Sequence, residues 1–322
     1  NGLLETNRGC PFQCTFCDWG TLTYQKVKQL ELDRVYADIS WFAKNEVELV
    51  TTADANFGIF VARDTQIIDY ICEQNTATGW PKIFDGSWAK NLKPVHVEMI
   101  GKLYDQGLFR RFTASMQSFN PQVLKTIKRK NITLPQFHEL LELSAARGVP
   151  VSTELILGLP GETAESYKAG IAYCVEHSIV YYVSLLTNLQ NSEMNDKQYR
   201  ELHDIKSIEM VDPSGDSTDD TNDLVVAHSA LTEQEYVDLV IWNQLVTCLY
   251  CYKTANHIIK ALVEKGADCA TLLDKIVSKL RTDSVVADYM AQYANHVQDG
   301  TTYALSANGV NDIGLLECLI ML

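Results

Sequence analysis

Short apolar runs alternate with longer segments of helical period through roughly the first two thirds of the chain. The runs of strand character are 3–6, 47–52, 82–85, 111–116, 149–157 and 179–186. The segments in which apolar residues recur every three to four positions are 32–45, 64–74, 94–106, 121–129, 135–147 and 163–177. Strands that alternate with helices are typical of a parallel sheet with crossover helices. Six such units are too few for a closed eightfold barrel, so the pattern predicts an α/β fold with a partial (β/α)6 TIM-like barrel.

The pattern changes after residue 210. Residues 211–223, VDPSGDSTDDTND, are acidic and poor in apolar residues, which is typical of an exposed loop. Helical spacing without intervening strands follows, at 231–253, 255–265, 270–281 and 284–297. We therefore predict a core barrel over 1–210, an acidic linker over 211–230 and a small helical C-terminal unit over 231–322. Because the first residue is Asn rather than Met, we also expect a further N-terminal domain upstream.

Composition and charge narrow the classes of function. The chain is 46% hydrophobic and 21% charged, which excludes a disordered or collagen-like protein. Its net charge of −14 repels phosphate backbones, so a nucleic-acid partner is not expected. Nine cysteines, an odd number, are too sparse for a disulfide scaffold and indicate reduced thiols in a cytoplasmic compartment. No run of about 18 apolar residues occurs, so no membrane partner is expected.

The sharpest local motif is a cysteine triplet directly after the first predicted strand. Cys10, Cys14 and Cys17 have the spacing C-x3-C-x2-C. A tetrahedral zinc site needs a fourth ligand, whereas three cysteines can hold a [4Fe–4S] cluster and leave one iron open for chemistry. The alternatives are core cysteines or a zinc knuckle.

This motif, with aromatic Phe16 before its last cysteine, resembles the signature of the radical S-adenosylmethionine (SAM) superfamily. The resemblance implies that the barrel is a radical SAM barrel and that the open iron chelates the methionine part of SAM. It further implies that an electron from the cluster yields a 5′-deoxyadenosyl radical, which abstracts hydrogen from a small organic substrate. An electron donor such as flavodoxin or ferredoxin is expected as a partner.

A second stretch, Ser115-Met116-Gln117-Ser118, is similar to one in oxygen-independent coproporphyrinogen oxidase and related members. The resemblance implies that Gln117 binds the ribose of SAM and that Arg129, one helix later, binds its carboxylate. Ser115 is expected among the cofactor-binding residues. A strand-end Gln and a surface Arg are the alternatives.

The third stretch, from Glu154 to Thr163, is similar to the adenine-side motif G-x-I-x-G-x-x-G. Ile156 and Gly158 match it, and Glu154 replaces its first glycine. Relatives with an acidic residue there use it on the ribose hydroxyls, although Glu154 would also fit as a satisfied barrel carboxylate.

Two segments depart from the family pattern. Asp54 and Asn56 follow the second predicted strand, where Gly-Gly-Glu is usual, and are expected to bind the cofactor. After the third predicted strand, Ser87-Trp88-Ala89-Lys90 stands where some relatives place an acidic SAM ligand.

Taken together, the motifs are most similar to the cobalamin-binding subgroup, whose members often methylate inert carbons. No D-x-H-x-x-G corrinoid signature occurs, so cobalamin would be bound by the expected upstream domain. The other hypotheses are hydrogen abstraction without cobalamin and a non-catalytic iron–sulfur or zinc protein.

Cys248 and Cys251 form a C-x2-C pair that fits either part of a second cluster or buried core thiols, and His228 is a candidate substrate contact. The sequence identifies no catalytic residue beyond cofactor binding.

Overall fold

The computed structural model of the protein describes residues 1–22, 26–209 and 223–298. The strands are β1 Gly2–Leu4, β2 Asn7–Arg8, β3 Lys28–Gln29, β4 Leu49–Thr52, β5 Ile83–Asp85, β6 Phe112–Thr113, β7 Val151–Leu157, β8 Val180–Leu185, β9 Thr187–Asn188, β10 Lys206–Glu209 and β11 Asp223–Ala227. The α-helices are α1 Trp19–Leu22, α2 Leu32–Lys44, α3 Val61–Thr78, α4 Pro94–Asp105, α5 Pro121–Thr126, α6 Leu134–Ala146, α7 Ala164–Glu176, α8 Lys197–His203, α9 Glu233–Tyr250, α10 Asn256–Glu264, α11 Cys269–Leu280 and α12 Ser284–Gln298. Every predicted strand and helix has a counterpart among these elements.

The chain folds into two compact units, the first made of Asn1–Met116 and Lys128–Glu154. In this unit β4 lies between β1 and β5 in a parallel sheet, and β6 pairs in parallel with the start of β7. Helix α3 packs against α2 and α4, and its core residues Ile67, Ile68 and Ile71 are at most 1% exposed. Ile71 lies four and three positions after Ile67 and Ile68, which places the three on one face, and burial of each contributes about 1.5–3 kcal/mol.

The second unit contains Gln117–Ile127 and the chain from Leu155 onward. Helix α9 is its centre: Leu245 and Val246 are fully buried, and α7, α11 and α12 all contact this helix. The four predicted C-terminal helices are therefore present as α9 to α12. The end of β7 and β8 belong to the same unit, so the compact units divide the chain differently from the predicted boundary near residue 210.

A small antiparallel sheet corrects part of the predicted linker. Strand β11 lies between β9 and β10, and Leu224, Val225 and Val226 on it are at most 4% exposed. Residues 223–227 therefore form a core strand because they pair with two segments distant in sequence, a contact that local composition does not encode. Residues 211–222 of the predicted linker lie outside the described residues.

No helix among the described residues is long and apolar enough to cross a bilayer.

The start of α3 depends on a buried carboxylate. Asp64 is fully buried, and its Oδ2 accepts from the backbone N–H of Gly58 at 2.9 Å and of Phe60 at 3.0 Å. Burial raises the pKa of Asp64 from 3.8 to about 6, against the opposing effect of these hydrogen bonds. The folded protein therefore binds this proton more tightly than the unfolded chain does.

This shift predicts a pH dependence of stability. Between about pH 4 and 6 the folded state keeps the Asp64 proton that the unfolded state has lost, so the free energy of unfolding falls as the pH rises and levels off above about 6. Asp64→Asn retains an acceptor oxygen and cannot ionise. Denaturant unfolding of both proteins from pH 4 to 8 should show the wild type losing as much as about 3 kcal/mol relative to the variant. Parallel pH curves would contradict the assignment.

Candidate functional site

The three cysteines of the triplet lie on one loop of the first unit. Cys10 and Cys14 are 2% and 4% exposed, and Cys17 is half-buried. The backbone N–H of Cys17 donates to the carbonyl of Cys14 at 3.1 Å, which turns the loop between them. Phe16 is half-buried within this turn. Burial raises the pKa of the Cys17 thiol, whereas the nearby Lys90 ammonium lowers it.

A buried carboxylate fixes the chain that leads into this loop. Asp54 accepts from the backbone N–H groups of Thr6 and Asn7 at 2.8 and 3.1 Å, from the Asn7 side chain at 2.6 Å, and from the Thr6 hydroxyl. Four donors match the acceptor capacity of a carboxylate. In this structure Asp54 therefore positions the chain that leads into the cysteine loop, and its expected contact with the cofactor stays a prediction.

We expect Asp54→Ala to destabilise the loop strongly, because four donors lose their acceptor and an unpaired buried donor costs about 1–3 kcal/mol. Thermal unfolding of the metal-free protein and the iron content after reconstitution should both fall. Asp69→Ala is the matched control, because Asp69 is an exposed partner of Lys102. Unchanged unfolding of Asp54→Ala would contradict the anchoring role.

Nitrogen donors face the cysteine sulfurs. Asn56 Nδ2 lies 3.2 Å from Cys10 Sγ, and Lys90 Nζ lies 3.5 Å from Cys14 Sγ. The positive charge of Arg129 also interacts favourably with Cys14 and Cys17. Asn56 Oδ1 is buried without a hydrogen-bond partner, so this predicted cofactor residue has an unused acceptor at the sulfur site.

This donor set fits a four-iron cluster better than a single ion. Among the described residues, no three His, Cys, Asp or Glu side chains are close enough together to bind one metal ion. In a cubane each cysteine binds a different iron, so the three sulfurs need not converge on one point. The surrounding N–H donors and cations also suit the negative charge of a thiolate-bound cluster.

Arg129 is connected to two other predicted residues. It is 5% exposed, and its guanidinium donates to Asn131 Oδ1 at 2.7 Å and to the carbonyl of Ser115. Ser115 Oγ in turn donates to a carboxylate oxygen of Glu154 at 2.6 Å. Burial lowers the pKa of Arg129, and the negative charge of the Cys14 thiolate opposes that effect. Ser115, Arg129 and Glu154 thus form one connected network in the first unit, and Glu154 is the exposed member.

A cavity of the first unit adjoins this network. The residues that line it include Trp88, Lys90, Ser115, Met116, Arg129 and Asn131. The indole Nε1 of Trp88 is buried without a hydrogen-bond partner. Sequence reasoning noted the segment of Trp88 and Lys90 only as a departure from the family pattern. A sequence signal for the place of Lys90 does exist: this lysine follows a strand that ends at the same sheet edge as the cysteine loop.

The remaining predicted SAM residues lie in the second unit. Gln117 has a left-handed backbone with φ of 64°, and its carbonyl accepts from the N–H of Ile156 at 2.9 Å. Gly158 has φ of 99°, and a Cβ there would lie 3.3 Å from the Tyr236 ring, so this position favours glycine. Buried Glu162 accepts from the Ser118 hydroxyl at 2.5 Å, which ties the glycine turn to the segment after Gln117. Sequence reasoning did not assign Glu162 this positioning role.

The other candidates behave as packing residues. Cys248 is fully buried, and Cys251 Sγ lies 3.5 Å from the carbonyl of Tyr181, with no third metal ligand near them in the described part of the chain. Their positions support the interpretation as core thiols. His228 is 4% exposed, its Nδ1 accepts from the Ala230 N–H at 3.2 Å, and burial lowers its pKa to about 4. A substrate contact by His228 stays a prediction.

Comparison with protein families decides the assignment. The model of the radical SAM superfamily matches residues 4–174, a span that contains the cysteine loop and all the predicted SAM residues. The chain belongs to the radical SAM superfamily. Members of this superfamily use a [4Fe–4S] cluster and SAM, so both predicted cofactors are confirmed.

Similar curated proteins include a methyltransferase named as cobalamin-dependent. The 2-(S-pantetheinyl)-carbapenam-3-carboxylate methyltransferase of Streptantibioticus cattleyicolor is 35% identical over 259 residues, which cover 78% of this chain and 38% of that protein. The cobalamin-dependent radical SAM methyltransferase TokK of Streptomyces tokunonensis is 35% identical over 260 residues, with the same coverage of 78% and 38%. The chain thus spans about two fifths of the length of these relatives. They confirm the predicted resemblance to the cobalamin-binding radical SAM subgroup.

Solved radical SAM structures share the fold. The methyltransferase TsrM from Kitasatospora setae, with cobalamin and a [4Fe–4S] cluster bound, is 18% identical with a TM-score of 0.53, and the match covers 64% of this chain and 39% of that chain. The cobalamin-dependent enzyme OxsB is 16% identical with a TM-score of 0.53, and the match covers 99% of this chain and 54% of that chain. At these identities the likeness shows the fold alone, and it confirms the predicted α/β barrel with a helical C-terminal part.

Proposed function

We propose that this chain is the radical SAM core of an enzyme that methylates an unactivated carbon of a small organic substrate. The observation that carries the proposal is the buried guanidinium of Arg129, which donates to Asn131 and to the carbonyl of Ser115 and interacts electrostatically with Cys14, more than a hundred residues away in sequence. A carboxylate held by that guanidinium would lie next to the cluster, and SAM has its carboxylate on the part that chelates the open iron.

Cys10, Cys14 and Cys17 would hold the cluster, with Asn56 as a donor to the first of them. When bound and reduced, the cluster supplies the electron that cleaves SAM to a 5′-deoxyadenosyl radical. Arg129 would orient the SAM carboxylate, and its bonds to Ser115 and Asn131 hold the guanidinium in one direction before the ligand arrives.

The family resemblance implies further SAM-binding roles for individual residues. Glu154 has an exposed carboxylate, oriented by Ser115, that can accept hydrogen bonds from hydroxyl groups. Gln117 presents an amide from a left-handed turn, and Ile156 and Gly158 would provide the apolar and backbone contacts of the adenine side. Phe16 would pack beside the cluster loop. These roles follow from the family resemblance and from the placement of each residue.

The proposals for cobalamin dependence and for the substrate class rest on similar proteins. Two relatives at 35% identity are methyltransferases, one named for a carbapenam carboxylate and one for its dependence on cobalamin. We infer that cobalamin would be held by a corrinoid domain outside this chain. Hydrogen abstraction without cobalamin is the second candidate, because the residues proposed for SAM and the cluster would serve that reaction equally well.

Partners and location follow from the chemistry. A low-potential electron donor such as flavodoxin or ferredoxin is needed to reduce the cluster. None of the eight cysteines among the described residues is in a disulfide, which supports a cytoplasmic location.

Anaerobic reconstitution with iron and sulfide, followed by reduction in the presence of SAM, tests the proposal. We expect a broad iron–sulfur absorbance and formation of 5′-deoxyadenosine. The full-length protein, purified with cobalamin and given CD3-labelled SAM and a carbapenam carboxylate, should transfer the label to carbon. Cleavage without cobalamin binding would favour the second candidate, and metal binding without SAM affinity would favour a non-catalytic iron–sulfur or zinc protein.

A further inference from the structure

The segment after β5 brings a single cation to the cysteine loop. Lys90 Nζ lies 3.5 Å from Cys14 Sγ and 4.9 Å from the centroid of the Phe12 ring, so it contacts two positions of the same loop. Ammonium groups are attracted to aromatic faces and donate hydrogen bonds to thiolates. Lys90 is half-buried, and it makes no ion pair with a carboxylate in the described ranges. Its charge is therefore directed at the sulfur site.

The backbone that carries Lys90 is held firmly. The neighbouring Ala89 donates its N–H to the carbonyl of Phe57 at 2.8 Å, and the buried Trp88 ring packs edge-on against Phe57 and Phe112 at centroid distances of 5.5 and 6.3 Å. Aromatic pairs with this geometry add about 0.5–1.5 kcal/mol each to the burial of their rings. This packing keeps the side chain of Lys90 within reach of Cys14.

The charge of a bound cluster changes on reduction, so the contact of Lys90 with Cys14 affects how easily the cluster is reduced. A [4Fe–4S]2+ core with three thiolates has a net charge of −1, and one-electron reduction makes it −2. A nearby positive charge stabilises the more negative state, and hydrogen bonds to the cluster sulfurs act in the same direction. A buried site screens this interaction less than water does.

We propose that Lys90 is a positioning residue that raises the reduction potential of the cluster through its contact with Cys14 Sγ. The proposal rests on the proposed function, because it requires the cluster. In the reduction step one electron passes from an external low-potential donor to the cluster, while Lys90 keeps its proton and forms no covalent bond. Lys90 thus makes the cluster easier to reduce before SAM is cleaved.

The test is a redox titration with dithionite, followed by the electron paramagnetic resonance signal of the reduced cluster. We expect Lys90→Met to have a lower midpoint potential than the wild type, and Lys90→Arg to stay close to the wild type. Lys82→Met is the matched control, because Lys82 precedes β5 at the opposite end of the strand and stacks on Trp80. Lys90→Gln removes the charge and keeps a hydrogen-bond donor. If Lys90→Met binds too little cluster for a titration, the shift in midpoint potential is measured on Lys90→Gln instead.

The outcomes separate the two proposals. Equal midpoint potentials in the wild type, Lys90→Met and Lys90→Gln would overturn the role of Lys90 and leave the cluster assignment intact. A higher potential in the charge-removing variants would overturn it as well. Failure of the wild type itself to assemble a cluster or to form 5′-deoxyadenosine would instead overturn the proposed function.

Discussion

Replacement of Cys14 by alanine is expected to abolish both assembly of the four-iron cluster and cleavage of SAM. Cys14 is 4% exposed, lies 3.5 Å from Lys90 Nζ and interacts electrostatically with Arg129, so it lies at the centre of the charged site. With three cysteines one of the four irons has no protein ligand. Without Cys14 a second iron also lacks one, and such a cluster is easily lost. Iron and sulfide content per chain, together with 5′-deoxyadenosine formation, should both fall to background.

Cys72→Ala is the matched control for this experiment. Cys72 is a half-buried thiol of α3 whose pKa burial raises to about 11, so it is protonated at neutral pH and suited to packing. The control should keep its full iron content and activity. If Cys14→Ala retained a complete cluster and normal cleavage, the assignment of the cysteine ligands would be wrong.

The second large effect is expected at Arg129. Substitution by methionine removes the guanidinium fork proposed for the SAM carboxylate, and loss of one partner from a buried charge pair costs about 2–5 kcal/mol. We therefore expect SAM to bind about 30-fold more weakly or worse to the reconstituted protein. Arg129→Lys should recover part of the affinity, because it restores the charge without the planar fork. Equilibrium dialysis with labelled SAM under anaerobic conditions measures the change.

A loss of SAM affinity in Arg129→Met can be assigned to the guanidinium only if the variant binds as much cluster as the wild type. Arg129 also donates to the carbonyl of Ser115, so the comparison uses only preparations with equal iron per chain. Arg147→Met is the control, since Arg147 is half-buried and paired with Asp105 at 2.8 Å in the same unit. An Arg129→Met protein that binds SAM as tightly as the wild type would limit Arg129 to a structural role.

The secondary structure was largely predictable because the relevant signals are local. The apolar spacing of α3 and the short apolar run of β4 lie within single segments of sequence, and the structure departs from the predicted ends by a few residues. The cysteine triplet is equally local. Its three thiols lie within eight residues of one loop, so their placement on that loop needs no tertiary contact. The role of Arg129 in SAM binding came from family resemblance and stays a prediction.

The sequence by itself determined the order of strands and helices, the cysteine loop and the superfamily. Only the tertiary structure decided that Asp54 anchors the loop, that Lys90 faces Cys14 and that residues 223–227 form a core strand. Asp54 and Thr6 are separated by 48 positions in the sequence, and Lys90 and Cys14 by 76. The strand at 223–227 pairs with two other segments of the chain. Such pairings depend on which sheet edges and loops fold together, and neither periodicity nor composition within a segment encodes that arrangement.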